Sequence, residues 1–560
     1  MMGDPLNCYL DYLTEKGYLV DALSDSSFSI ELSIQGQTLV VECELPDFFP
    51  YEFPVIRLPN ASWQKCIGIP HLLRDDTLCL FNEADARPNF LKPYELVLST
   101  IQKAEEVLAM GLAGEQQESF EDEILNYWRK NDEYRIHLFS DLGEEVTSLC
   151  LSKSKSGGKG EYIATTTGAA NDAIFKKATL KDRADIIEFG LYIPLSTGFA
   201  THEVRTEKKM WSAIEGRVSE ENKKAICKLI SRTNSNKQLF YIVSFLDSNQ
   251  ERVFVGWKGR SLSKVDGFRR GHISPFLYWN LQKEDDIAIQ RASVTLCTQA
   301  RLFTRGSYGY DFRFRSAAVI GCGSVGSHLC SMLASMGADS FLLVDNESLS
   351  VDNIARHLCG YDMVGLPKTF AVKWRLEKNN PNICCTEYTE NAYSAIKAHL
   401  SEINQYEALF VAVGDLPLEA YIINLGKQNL ITIPTIITWV EPKGYAAHMV
   451  YISQYGTAFE NLICLDTMCY QRAVLENSSE LVEHDAGCQS GYVPYSGLNV
   501  QNYLSECIHK LSRIRAEKSL QGNYHFTWIG ELSEARRNNI PINPEFGDAQ
   551  DFSMYIKRFE

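Results

Sequence analysis

The run Ala318-Val319-Ile320-Gly321-Cys322-Gly323-Ser324-Val325-Gly326, with Asp345 nineteen positions after its last glycine, has the composition of a phosphate-binding turn. An apolar strand entering Gly-x-Gly-x-x-Gly lets the backbone turn tightly, presents N–H groups to an anion and starts a helix whose positive end faces it. Asp345 is spaced to bind ribose hydroxyls. Taken alone, Gly321, Gly323, Gly326 and Asp345 would suit a nicotinamide or flavin dinucleotide. The residues that follow suit ATP better. Arg356 and Lys368 bring fixed positive charge to a triphosphate, and Asn353 brings amide hydrogen bonds. Asp415 follows the apolar run Ala408 to Val413, where an open α/β sheet places ligand groups, and its carboxylate can hold Mg2+. Hydride transfer has no need of this set.

Two of the sixteen cysteines sit in segments that could expose a thiol. Cys79 lies in the irregular stretch Ile69-Pro70-His71 to Leu78-Cys79-Leu80-Phe81. Cys488 lies in the polar, glycine-flanked loop Asp485 to Gly491, ahead of the turn Pro494-Tyr495-Ser496-Gly497 and a helix expected over Asn499 to Leu511. A helix N-terminus or a nearby cation would lower such a thiol's pKa from about 8.5 and raise its thiolate fraction. Cys464 and Cys469 are the alternatives to Cys488. No Cys-x-x-Cys occurs, Cys464 and Cys469 are separated by four residues and Cys384-Cys385 are adjacent, so a zinc site is not expected.

Three parts of the chain must position these groups: 1–150, 151–300 and 301–560. In the first, a helix near Asn7 to Tyr18 precedes alternating strands at Phe28 to Ile34 and Leu39 to Leu45, a proline-rich turn Pro46 to Pro54, and a strand Val55 to Leu58. Val97, Ile101, Ala104 and Leu108 recur at helical spacing, and a second helix is expected from Glu121 to Lys130. The small and charged residues Leu151 to Gly160 read as a flexible loop or linker. Beyond it, strands at Gln238 to Phe245 and Arg252 to Trp257 point to an α+β unit with no catalytic constellation; His202 and His272 are isolated. The third part is a Rossmann-like α/β domain, with a buried strand expected at Ile431 to Ile437.

The ordered set of glycine turn, Asp345, Asn353-x-x-Arg356, Lys368 and Asp415 resembles the ThiF-type adenylation domain of ubiquitin-activating enzymes and of bacterial molybdopterin and thiamin adenylyltransferases. The helix, meander, proline-rich turn and Leu-Cys-Leu of the first part resemble the ubiquitin-conjugating fold. That likeness implies that Cys79 accepts a thioester, although His71 stands where the family's His-Pro-Asn has its asparagine. The adenylation resemblance implies that Cys488 takes the activated acyl group from its adenylate, that the protein is a homodimer, and that Arg301 or Arg305 reaches the partner's ATP. Both domains on one chain resemble the bacterial fusion transferases of cyclic-oligonucleotide antiphage signalling (CBASS). There the carrier whose C-terminus is joined to target amines is the cGAS-like nucleotidyltransferase (CD-NTase). A separate ubiquitin-like carrier, or a sulfur carrier served by the C-terminal half alone, are the alternatives.

Composition narrows the field further. A chain of 560 residues with 45% hydrophobic content forms several globular domains. A net charge of −16 and a pI near 5.3 argue against nucleic acid as the main partner. No apolar run approaches the length of a membrane span, no signal-peptide core is found, and the scattered cysteines read as reduced thiols, so a cytoplasmic protein without a membrane partner is expected.

Overall fold

The computed structural model describes residues 6–559 except 67–68, 70, 74–75, 82–85, 114–124, 126–127, 129–131, 155–159, 167–172, 175, 179–187, 200–203, 233–237, 248, 261, 263–264, 266, 269–272, 283–287, 307–313, 465–468, 477–480, 485–490 and 518–521. The chain forms two compact units, Met1–Asp172 with Lys181–Leu296, and Ala173–Leu180 with Cys297–Glu560.

In the first unit, α1 (Leu6–Glu15) leads into an antiparallel sheet ordered β1 (Leu19–Ala22), β2 (Ser27–Ile34), β3 (Gln37–Glu44), β4 (Val55–Arg57). The strict alternation of β2 and β3 decides which face is buried. Ile30 pairs with Val41 and Leu32 with Leu39, all on the inner face, while Glu31 and Val40 face outward. Gln35 and Gly36, both at positive φ (51° and 77°), close the hairpin in the manner of a two-residue primed turn. After α2 (Asn60–Cys66) comes α3 (Pro93–Leu112), which lays Val97, Ile101, Ala104 and Leu108 on that face, as its spacing predicts.

The same unit contains a closed barrel of β5 (Tyr134–Leu138), β6 (Thr147–Lys153), β7 (Glu161–Thr166), β8 (Glu188–Pro194), β9 (Leu239–Leu246), β10 (Arg252–Gly259) and β11 (Gln290–Leu296). Alternate residues fill its interior, including Phe240, Ile242 and Leu151, while Tyr241, Val243 and Trp257 pack outward with residues of α4 (Glu207–Glu215), α5 (Glu220–Arg232) and α6 (Pro275–Leu281). The stretch 151–160 is therefore no domain linker: its first three residues complete β6, which pairs antiparallel with β7, so the stretch joins two strands of one barrel. The barrel also begins before position 151, because β5 and most of β6 precede it. Most of the helix expected over 121–130 lies outside the described residues. Trp128 is described, and its indole N–H donates to the carbonyls of Gly256 and Ala292, both at 3.0 Å.

The second unit is a doubly wound sheet. After α7 (Gln299–Gly306), strands β12 (Ser316–Ile320), β13 (Ser340–Val344), β14 (Cys384–Tyr388), β15 (Leu409–Val411), β16 (Thr435–Val440), β17 (Ala446–Ile452), β22 (Asn523–Ile529) and β23 (Met554–Phe559) assemble in the order β14-β13-β12-β15-β16-β17-β22-β23. The short strands β18 (Ile463–Cys464), β19 (Cys469–Tyr470), β20 (Glu483–His484) and β21 (Gly491–Tyr492) form two separate ribbons. The five strands from β14 to β16 are parallel and the last three antiparallel. One face carries α8 (Ser324–Ser335), α9 (Lys368–Asn379) and α12 (Gly497–Ala516), the other α10 (Ala392–Ile403) and α11 (Leu416–Lys427). The strand expected at 431–437 starts only at Thr435, because Pro434 has no N–H to give a ladder. Among the described residues no helix is long and apolar enough to cross a membrane.

Candidate functional site

From β12 the chain winds outward through β13 to β14, then returns to lay β15 on the other side of β12. The carboxyl ends of β12 and β15 thus form a topological switch point, where open α/β sheets bind ligands. Gly321 turns there at φ +92°, its N–H donating to the Val344 carbonyl at 2.8 Å. A side chain on Gly321 would strike the Ala412 carbonyl, and one on Gly326 would strike the Gly321 carbonyl. Gly323, which caps α8, differs: a Cβ there would meet no protein atom within 4 Å. That free space at a helix N-terminus is a cradle for a phosphate.

Asp345 follows β13 and accepts hydrogen bonds from the N–H groups of Cys322 (2.7 Å) and Glu347 (2.8 Å). Burial pushes its carboxyl up, against the pull of those two N–H groups and of Lys368. Lys368 opens α9, is 6% exposed, and is paired with Glu347. Ser324 Oγ donates to the Arg356 carbonyl at 2.7 Å, and Ser327 Oγ accepts from Leu358 N–H at 3.2 Å, so the segment carrying Arg356 is fastened to the start of α8. The Arg356 guanidinium donates to the Val493 carbonyl (3.3 Å) and lies 4.9 Å from the Tyr495 ring centre. Asn353 caps its own turn by accepting from Ser350 N–H at 3.1 Å. Asp415, at the N-terminus of α11, is exposed and makes no capping bond, so its carboxylate is available to a cation.

These residues fit ATP. The open cradle at Gly323, the cations Arg356 and Lys368, and Asp345 at the end of β13 meet the needs of phosphates and ribose. Asp415 suits Mg2+, which takes one or two carboxylates and completes its shell with phosphate and water. Among the described residues no group of three or more His, Cys, Asp or Glu is arranged to hold a metal by itself.

Four further residues carry no sequence signal. His357 accepts Cys359 N–H at Nδ1 (3.0 Å), which leaves the proton on Nε2 to donate to the Cys322 carbonyl (2.8 Å) inside the glycine turn. Burial holds this imidazole neutral by lowering its pKa. Glu347 is the partner of Lys368. Glu441 accepts from His448 Nε2 (2.7 Å) and from the N–H groups of Val474 (2.6 Å) and Leu475 (2.9 Å), tying the segment after β19 to the sheet. Glu419, on the buried face of α11, accepts from Tyr470 Oη at 2.5 Å; burial, reinforced by Asp415, raises its pKa to about 7.

The thiols are distributed unevenly. Cys79 N–H donates to the His71 carbonyl at 2.8 Å, and Leu72 bridges Leu78, so His71 and Cys79 face each other across a short antiparallel pair. His71 holds φ +65° to make that turn. Thr77 bridges Arg57, which fixes the Cys79 segment beside β4. Cys488 lies outside the described residues; the chain that follows it reaches Arg356 through the Val493 carbonyl and the Tyr495 ring. Cys464 and Cys469 pair across β18 and β19, half-buried and exposed respectively, and Tyr470 links that ribbon to α11. Arg301 is half-buried on α7, and the Arg305 side chain is outside the described residues.

Residues 306–481 match the ThiF family, and residues 16–136 match prokaryotic E2 family B. The chain joins an E2-like region to an E1-like, ThiF-type region. It is 21% identical over 472 residues, 81% of either chain, to the ATP-dependent ubiquitin transferase-like protein Cap2 of Pseudomonas aeruginosa. A Cap2 protein of Enterobacter hormaechei is 26% identical over 115 residues, 20% of this chain and 19% of that one. The yeast tRNA threonylcarbamoyladenosine dehydratase 1 is 34% identical over 64 residues, 11% of this chain and 15% of that one. Among solved structures, Escherichia coli MccB in complex with MccA-N7isoASN is 16% identical, with 46% of this chain and 66% of MccB covered, and a TM-score of 0.30. The fusion thus resembles Cap2 along most of its length, and both of the regions expected from sequence are present.

Proposed function

We propose that this enzyme adenylates the C-terminal carboxylate of a carrier protein, carries it as a thioester on Cys488 and then on Cys79, and joins it to target amines. The coarser class is plain: the chain is an ATP-dependent, ubiquitin-transferase-like adenylating enzyme. The observation that carries the finer reading is the cradle at Gly323, with Lys368 and Arg356 on segments fastened to it, in a chain that also bears Cys79 beside β4.

In the first step a carboxylate oxygen attacks the α-phosphorus of ATP, the bond to the β-phosphate bridging oxygen breaks, and pyrophosphate leaves. Lys368 and Arg356 stabilise the charge that builds on the phosphates, the N–H groups at the start of α8 bind them, and Asp345 orients the ribose. Mg2+ held by Asp415 would add charge neutralisation at the phosphates. Cys488 thiolate next attacks the acyl carbon and AMP departs. Cys79 thiolate then takes the acyl group with Cys488 thiolate as leaving group, and a target amine displaces Cys79 thiolate and gives up a proton. The resemblance to Cap2 supports a CD-NTase as carrier, priming of CBASS antiviral signalling as the outcome, and a homodimer as the working form.

The decisive experiment compares ATP–pyrophosphate exchange with conjugate formation in Cys79→Ala. Exchange at the wild-type rate with conjugation reduced at least a hundredfold is expected. Unimpaired conjugation would overturn the reading and favour an adenylyltransferase that uses only the C-terminal half.

A further inference from the structure

Beside Cys79 the E2-like region holds a pocket of about 510 Å3, and Cys79 itself forms part of the wall. Pro46, Phe53, Val55, Leu80, Phe81 and Pro88 supply much of the rest. The rings of Phe53 and Phe81 stack with centres 4.0 Å apart and 17° between their planes. Neither ring belongs to the core packed between β2, β3 and α3. Tyr51, also in the wall, pairs with Phe90 at 5.2 Å, and the two remain 61% and 49% exposed. Among the lining residues Glu52 alone carries a charge, and it is exposed. An aromatic wall kept out of the core is how a protein builds a site for an apolar ligand.

The position of Cys79 decides the occupant. An acyl chain attached to its Sγ starts at the pocket wall and advances about 3.3–3.6 Å per residue when extended. Its terminal residues are therefore what the pocket meets, and the volume exceeds that of any single side chain. We propose that this pocket selects acyl donors whose C-terminal segment carries apolar or aromatic side chains in the residues just before the terminus. The inference rests on Cys79 as the thioester acceptor and adds the chemistry of the tail that it accepts. Glu52 at the rim disfavours an acidic tail for the same reason that the aromatic wall favours an apolar one.

The test bypasses the carrier. Short peptides ending in a glycine thioester of mercaptoethanesulfonate are offered to the full chain in a Cys488→Ala background, and acylation of Cys79 is followed by mass spectrometry of its peptide. The Cys79 thiolate attacks the thioester carbonyl and mercaptoethanesulfonate leaves as thiolate, so no ATP is needed. Peptides with Leu or Phe in the two positions before glycine are expected to react at least tenfold faster than those with Asp or Ser. Phe53→Ser, which removes one wall, and Ala86→Trp, which fills the pocket, should each cut that preference to below threefold. Equal rates for all peptides at Cys79, or a preference that survives both variants, would overturn the pocket while leaving Cys79 as acceptor. Absence of any adduct on Cys79 with every peptide would instead overturn the reading on which the pocket rests.

Discussion

Gly323 and Gly326 look equivalent as letters in one motif, yet their surroundings set different tasks. Gly326 is needed for packing, because a methyl group there enters the Gly321 carbonyl. Gly323 has no such packing requirement, because its missing side chain leaves open space and its φ of −74° suits alanine; in the proposed reaction that space is kept for phosphate. Gly326→Ala should therefore lose stability on the order of 1–3 kcal/mol or more, visible as a lowered melting temperature. Gly323→Ala should melt as the wild type but show a KM for ATP in pyrophosphate exchange raised about tenfold, equivalent to about 1.4 kcal/mol. An unchanged KM in Gly323→Ala would show that phosphate does not approach there. The glycines, Asp345 and Asp415 could be read from sequence because each lies just beyond an apolar strand, β12, β13 and β15 respectively. His357 and Glu441 could not, since their partners at Cys322, His448, Val474 and Leu475 meet them only through tertiary packing.

Helix α11 joins two candidate chemistries, with Asp415 at its N-terminus and Glu419 one turn on, bonded to the ribbon that bears Cys464 and Cys469. Nothing in Leu416-Pro417-Leu418-Glu419 marks the glutamate as the residue facing inward. The barrel was missed for a related reason. Continuous apolar runs identify strands such as β9 and β10, but closure depends on the parallel pairing of β5 with β11 and of β8 with β9, which local pattern does not encode. Glu419 makes a testable statement about pH. Its carboxyl titrates near 4.5 when unfolded and near 7 in the fold, so between those values the folded state holds a proton that the unfolded chain has lost. Stability contributed by this group thus falls as pH rises from about 4.5 to 7 and is level above. At about 1.36 kcal/mol per unit, the change is about 3 kcal/mol. Glu419→Gln, whose amide oxygen still accepts from Tyr470, should lack that slope. Denaturant unfolding at pH 5 and pH 8 checks it: the variant should gain on the wild type between the two, and a pH-independent difference would refute the assignment.

In the proposed reaction, two units on one chain let an acyl group pass between thiols without a second encounter, at an effective concentration of roughly millimolar. Such a design requires the adenylating unit to stay folded wherever the conjugating one works, and its buried imidazoles set an acid limit on that. Burial lowers the pKa of His328, His357 and His525, the last well below its ordinary value with the neighbouring His448 adding to the shift. For His525 the geometry gives the cause: Glu441 holds the His448 proton on Nε2, so His448 Nδ1 accepts from His525 Nε2 at 3.0 Å, and both rings are buried. The unfolded chain takes up protons at these positions as pH falls through 6.5, while the folded unit does not. The part of the stability of residues 297–560 that depends on these histidines is therefore fully present above about 6.5 and declines progressively below it, opposite in sign to the Glu419 effect. Hydrogen exchange followed by peptide-resolved mass spectrometry at pH 7.5, 6.5 and 5.5, corrected for the intrinsic exchange rate, measures the opening free energy of β17 and β22. That energy should hold between 7.5 and 6.5 and drop by 5.5, and His525→Phe should reduce the drop. A flat profile across all three would mean that these histidines take up protons in the folded unit over the same pH range as in the unfolded chain, and would remove the basis for reading His525 as a neutral buried imidazole.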